Sequence, residues 1–129
     1  MRILGNAGCH KETADLIEAY IQKNQARENS LRWHVAQQRA MADDYPRSII
    51  SAKQALLAEE NFAVRPLRWN DYVLATIAFM EGNKEALVAH RNEVAKGADA
   101  YFGNRLNLKL FDVLIANFGK SYSYAAGKL

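Results

Sequence analysis

The chain has 129 residues, half of them apolar and 24% charged, with only two Pro and seven Gly. That composition fits one compact domain spanning 1–129 and excludes a collagen-like chain, a disulfide scaffold and a disordered tail. The formal charge of +3, from 17 basic and 14 acidic residues spread along the chain, is too small to point to nucleic acid.

The opening segment, Met1 to Cys9, carries one charge and no long apolar run, so it does not read as an intact signal peptide. A cytoplasmic chain and an exported one whose leader has been removed both fit it. Cys9 is the single cysteine, which leaves no intramolecular disulfide and is compatible with a reducing compartment. Cys9-His10 has no second Cys or clustered His to complete a zinc set, because His34 and His90 stand apart. No apolar run is long enough to span a bilayer.

From Glu12 to Asn24 the apolar positions Ala14, Ile17, Tyr20 and Ile21, flanked by Leu16 and Ala19, keep helical spacing and predict a first helix. Polar residues from Asn24 to Asn29 interrupt it. Ser30 then offers a capping hydroxyl for a second helix to about Ala42, carrying Leu31, Trp33, Ala36, Ala40 and Met41. Asp43-Asp44-Tyr45-Pro46 is a turn, and Pro46 suits the first turn of a third helix, which runs to about Glu59 with Ile49, Ile50, Ala52, Ala55 and Leu56 inward.

Asn61 to Pro66 reads as a linker. Pro66 opens a fourth helix to Glu81, apolar almost all round with Trp69, Tyr72, Val73, Leu74, Ala75, Ile77, Ala78, Phe79 and Met80, and so expected at the centre of the fold. Gly82-Asn83 ends it, and Asn83 caps a fifth helix to Lys96 with Ala86, Leu87, Ala89 and Val94, stopped by Gly97. Ala98 to Asn104 reads as a loop bearing Tyr101 and Phe102. A sixth helix holds Leu106, Leu110, Phe111, Leu114, Ile115 and Phe118 and ends at Gly119, and Lys120 to Leu129 is a small aromatic tail. Tyr101, Phe102, Tyr122 and Tyr124 either close over the last helix or form an exposed patch. Strand-like alternation is missing, so the fold class is all-α, about six helices in antiparallel hairpins.

Leu31-Arg32-Trp33 recurs 36 residues later as Leu67-Arg68-Trp69, and each copy precedes small residues, Ala36 and Ala40 in one helix, Ala75 and Ala78 in the other. Ser48-Ile49 matches Ala86-Leu87 in the second member of each helix pair. Small residues at these places let paired helices approach closely, and hairpins of this length stack into solenoids. Trp69-Asn-Asp-Tyr72, Ala75, Ala78-Phe79, Gly82-Asn83 and Ala86-Leu87 resemble a degenerate tetratricopeptide repeat. Trp33, Ala36, Ala40, Asp44-Tyr45 and residues 52–56 resemble a weaker second copy. The resemblance covers residues 30 to 97. It implies a right-handed helical array with repeat hairpins at about 30–60 and 67–97, and capping helices at about 11–25 and 105–118. In it Trp33, Trp69, Ala36, Ala40, Tyr72, Ala75 and Phe79 pack the repeats. The wider layout is similar to small bacterial helical-repeat proteins, a likeness that implies no activity and is compatible with export.

Catalytic fingerprints for a serine nucleophile, a zinc protease, a Walker-type loop or a dinucleotide fold are missing, and no cofactor is expected. Gly5-Asn-Ala-Gly8 follows no strand, and the carboxylates Asp43, Asp44, Glu59 and Glu60 are explained by capping or solvation. In a solenoid the first helix of each pair lines the concave surface. Arg32 and Arg68, with Arg39, Arg65 and His34, then form a basic groove for a carboxylate or an acidic peptide segment. The alternative is that Arg32 and Arg68 are solvated or pair with Asp71 or Glu28. The leading expectation is thus a non-enzymatic protein- or peptide-binding adaptor. The others are a small enzyme or ligand carrier with a pocket near 98–104 and 118–124, and a self-associating subunit such as a homodimer.

Overall fold

A computed structural model of the chain describes residues 9–24 and 28–129. The described residues contain seven α-helices and no strand: α1 His10–Asn24, α2 Asn29–Met41, α3 Tyr45–Gln54, α4 Trp69–Met80, α5 Lys84–Lys96, α6 Phe102–Ala116 and α7 Tyr122–Ala126. The class is all-α. The backbone gathers into two compact units, Met1–Leu56 and Leu57–Leu129. The Gly5-to-Gly8 segment and the middle of the polar break, 25–27, lie outside the described residues.

In the first unit α1 packs on α2 and α2 on α3. Ala14 and Ile21 of α1 meet Val35 of α2, with Ile17 and Leu31 packed against them. Tyr20 and Leu16, read as apolar positions of the first helix, lie on its exposed side, because the buried stripe passes through Thr13, Ala14 and Ile21. α2 starts one residue before Ser30, and its N-cap residue, Glu28, makes no side-chain cap bond. Asp44 caps α3 by accepting from the Arg47 N–H, with Pro46 in the first turn. Ser48, wholly buried, donates its hydroxyl to the Ala36 carbonyl at 2.6 Å and so seals the α2–α3 hairpin. The third helix stops at Gln54, not Glu59. There the Asn29 amide donates to the carbonyls of Ala55 and Leu56, satisfying groups that a helix end leaves orphaned.

In the second unit α4 packs on α5, α5 on α6, α6 on α7, and α4 also on α6. Residues 55–68 are irregular, so the fourth helix begins at Trp69, not Pro66. Asn70 fixes the start of this unit: its carboxamide accepts from the Leu57 N–H at 2.8 Å and donates to the Leu57 carbonyl at 2.9 Å. As its composition suggests, α4 is buried all round, at Val73 and at every residue from Ala75 to Met80. Gly82, at φ +72, turns the chain where a side chain would be strained, and Asn83 caps α5 by accepting from the Ala86 N–H. Ala89 of α5 is exposed, and so is Leu106 of α6, although both were assigned to apolar faces. The tail forms the short helix α7, capped by Ser121, and buries Tyr122 against Phe79. Phe79 also meets Phe118 edge-on, while Tyr72 bridges Trp69 and Phe111.

Asn104, read from the sequence as a loop residue, sits in the first turn of α6 with no exposed surface. Its carboxamide oxygen accepts from the Arg68 N–H at 2.8 Å, and its nitrogen donates to the carbonyls of Pro66 at 2.8 Å and Gly97 at 3.0 Å. Gly97 does not end α5 through a left-handed conformation; it ends it by making room. A methyl group there would lie 2.6 Å from the Asn104 amide nitrogen.

Of the expected repeat-packing residues, Trp33, Ala36, Ala40, Ala75 and Phe79 are buried, while Trp69 and Tyr72 are half-buried. The two Leu-Arg-Trp copies occupy different helix positions. Trp33 is the fifth residue of α2, whereas Trp69 is the first of α4, with Leu67 and Arg68 outside it.

Denaturant unfolding of four variants checks this packing. Trp33→Ala should cost about 3–5 kcal/mol, and Trp69→Ala distinctly less, since Trp69 keeps part of its surface in water. Asn104→Ala leaves the Pro66 carbonyl and the Arg68 N–H without a partner, a loss of about 3 kcal/mol, while the Gly97 carbonyl keeps the N–H groups of Ala100 and Tyr101. Gly97→Ala should also destabilise, and by less once Asn104 is Ala, a coupling that a double-mutant cycle measures.

Candidate functional site

The arginines expected to line one groove divide between the two units, and they differ in how they are held. Arg32 and Arg39 lie seven residues apart on one face of α2, and both are turned back onto α1. Arg32 donates to Glu18 at 3.2 Å and to Gln54 of α3 at 3.2 Å, and Arg39 lies 3.7 Å from Asp15. His10 adds a 2.6 Å hydrogen bond to Gln38 along the same seam. Arg32 therefore finds Glu18 instead of Glu28 or Asp71. His34 is exposed and does not join this pair, because two residues along a helix turn the side chain by about 200°. Charged pairs this open to water add little stability, so their main effect is to fix the orientation of α1 on α2.

Arg65 and Arg68 precede α4. Neither makes an ion pair or side-chain hydrogen bond among the described residues. Arg65 is exposed and lines an open cavity of about 340 Å³ together with Glu59, Glu60, Asn61 and Val64. Glu60 is occupied in accepting from the Asn70 N–H. Val64 is 72% exposed, the most open large apolar side chain described.

Arg68 is half-buried. Its guanidinium carbon lies 3.9 Å from the centre of the Phe62 ring, a cation–π arrangement. Its Nε is buried without a hydrogen-bond partner, and it faces the space beside Gly97 that a methyl group would fill. Asn104, through the Arg68 N–H, holds this residue in place. The sequence gives no sign of this, since the partners are 36 residues apart.

Asp71 is engaged elsewhere: it lies 2.9 Å from Nδ1 of His90 and ties α4 to α5. A carboxylate–histidine pair is the orienting half of a catalytic triad, and its histidine was read from the sequence as isolated. Among the described residues, the other ring nitrogen meets no hydroxyl or thiol. Arg91 and Asp112 tie α5 to α6 at 2.8 Å, and this hydrogen bond raises the Arg91 pKa. Glu93 is held below the usual glutamate range, first by the hydrogen bond from Lys96 and then by the charges of Lys96, Arg68 and His90.

A second cavity, of about 320 Å³, lies in the first unit among Lys11, Glu12, Asp15, Arg39, Ala42, Asp44 and Arg47. Neither cavity includes residues of 98–104 or 118–124. Of the four aromatic residues there, Tyr122 is buried and Tyr101, Phe102 and Tyr124 are exposed. Cys9 is half-buried at the start of α1, and its carbonyl accepts from Thr13. Among the described residues no three His, Cys, Asp or Glu side chains gather to hold a metal ion, and no helix is long and apolar enough to cross a membrane. Comparison with protein families, with curated proteins and with solved structures finds no match to this chain.

The Glu93 pair gives a direct electrostatic check. A carboxyl whose folded pKa is lowered adds stability above its unfolded pKa and loses it as pH falls through the folded value. Carboxyl-detected NMR titration should find Glu93 below the usual glutamate range, and Lys96→Ala should move it back up.

Proposed function

We propose that this chain is a non-enzymatic binding module that holds an acidic peptide or protein segment on the surface formed by Arg65, Arg68 and Phe62. The supporting observation is that Arg65 and Arg68 keep their charges uncompensated by any ion pair, while Arg32 and Arg39 are already engaged with α1. A guanidinium held over a ring loses less freedom when it grips a carboxylate than a swinging one does. Exposed Val64 adds apolar contact beside the charges. Arg32 and Arg39 act here as braces of the first unit, and His34 has no part. Within each unit consecutive helices pack on one another, and α4 also packs on α6, which is compatible with tetratricopeptide-like hairpins.

The test is fluorescence anisotropy with two labelled peptides of equal length and apolar content, one rich in Asp and Glu, the other in Lys. The acidic peptide should bind, more weakly as salt is raised, and Arg65→Glu should weaken it about tenfold or more. Arg32→Glu should leave the affinity within about twofold, as expected for a group outside the site. Equal binding of both peptides, or an unchanged affinity in Arg65→Glu, would overturn the proposal.

A further inference from the structure

α6 has two seams. Its inner face buries Asn104, Phe111 and Leu114. Its outer face carries Phe102, Leu106, Lys109, Val113 and Ala116, at successive spacings of four, three, four and three residues. That is the pattern with which one helix receives another. Phe102 is 61% and Leu106 47% exposed, Lys109 and Ala116 are exposed, and Val113 is half-buried. The stripe runs the length of a 15-residue helix, about 22 Å.

The charges say what kind of helix fits. Along the stripe's edge Asp112 is neutralised by Arg91 at 2.8 Å. Arg105 stacks over Phe102, 5.5 Å from the ring centre, and donates to the Ala98 carbonyl. Lys109 makes no ion pair among the described residues. The charges left without an ion pair are thus positive: Lys109 at the midpoint of the stripe and Arg105 along its edge. A second copy of α6, parallel or antiparallel about that midpoint, would bring Lys109 against its own counterpart, and like charges opposed in an apolar seam are repelled. An acidic residue at the centre of a different helix would be attracted instead.

From this we infer that the outer face of α6 docks an amphipathic helix of another protein, one with apolar residues at three- and four-residue spacing and an acidic residue opposite Lys109. The stripe is a second surface, separate from the Arg65–Arg68 site and independent of it. Phe102 and Leu106 supply the apolar anchors. Lys109 and Arg105 set the orientation and exclude a basic partner.

The probe is a labelled synthetic helix with leucines at that spacing and a central glutamate, set against the same peptide with a central lysine and against a scrambled one. Binding to the full chain is read by anisotropy, and circular dichroism confirms that each variant is folded. The acidic helix should bind, and Leu106→Ser and Lys109→Glu should each weaken it about tenfold or more. Lys109→Glu should gain affinity for the lysine-centred helix. Arg65→Glu should leave the affinity unchanged, which separates this surface from the other. The inference is overturned by equal binding of the scrambled peptide, by a loss confined to Arg65→Glu, or by binding to anionic vesicles in place of the peptide. It is equally overturned if sedimentation shows a dimer that Leu106→Ser breaks, since the face then belongs to a second copy.

Discussion

A carboxamide buried without any exposed surface holds the second unit together. A polar group taken out of water costs free energy unless its hydrogen bonds are replaced. Asn104 replaces three of them, all to backbone, at Pro66, Arg68 and Gly97. Those contacts fasten three stretches at one point: the irregular segment before α4, the end of α5 and the first turn of α6. Gly97 is a glycine because the amide nitrogen stands where a side chain would begin. Arg68, whose N–H is bonded to Asn104, lays its side chain beside Gly97 and its guanidinium over Phe62. The surface proposed to bind an acidic segment is therefore positioned from within the unit.

The first unit solves the same physical problem with different residues. Helix ends and hairpin seams need polar partners, and here Asn29 closes the end of α3 while Ser48 reaches the carbonyl of Ala36. α1 is held by a small apolar cluster and by the paired arginines of α2. The two Leu-Arg-Trp copies thus do different work. In the first the arginine braces a neighbouring helix; in the second it is left available. A tripeptide match does not make two residues equivalent when one lies inside a helix and the other just before it.

Much of the fold was legible in the sequence, because its signals are local. Asp44 and Pro46 announce the start of α3, Gly82 and Asn83 the turn into α5, and the all-round apolar character of α4 its burial. The misses share a cause. The early end of α3, the late start of α4 and the burial of Asn104 depend on side-chain amides that bond backbone 13 to 38 residues away. Nothing in a local window reports such a bond. Ser121 is a usable cap signal for α7, but the helix it opens has only five residues, too few to show a periodic apolar pattern. Leu106 and Tyr20 lie outside the core although both are apolar, because apolar character alone does not say which face of a helix is covered. The basic groove followed from the recurrence of Leu-Arg-Trp in a solenoid, and neither the recurrence nor residue type reveals that Glu18 and Asp15 already pair with Arg32 and Arg39.

Asn104 fixes the backbone that presents Arg68. The measurement that tests this most directly is native-state amide hydrogen exchange at the Arg68 N–H, in the wild-type chain and in Asn104→Ala. In the wild type the Arg68 amide should be protected. In the variant that amide should exchange nearly as fast as a freely solvated one, while the amides in the middle of α2 keep their protection. A wild-type Arg68 amide that is unprotected from the start, or one whose exchange is the same in both proteins, would contradict that role of Asn104.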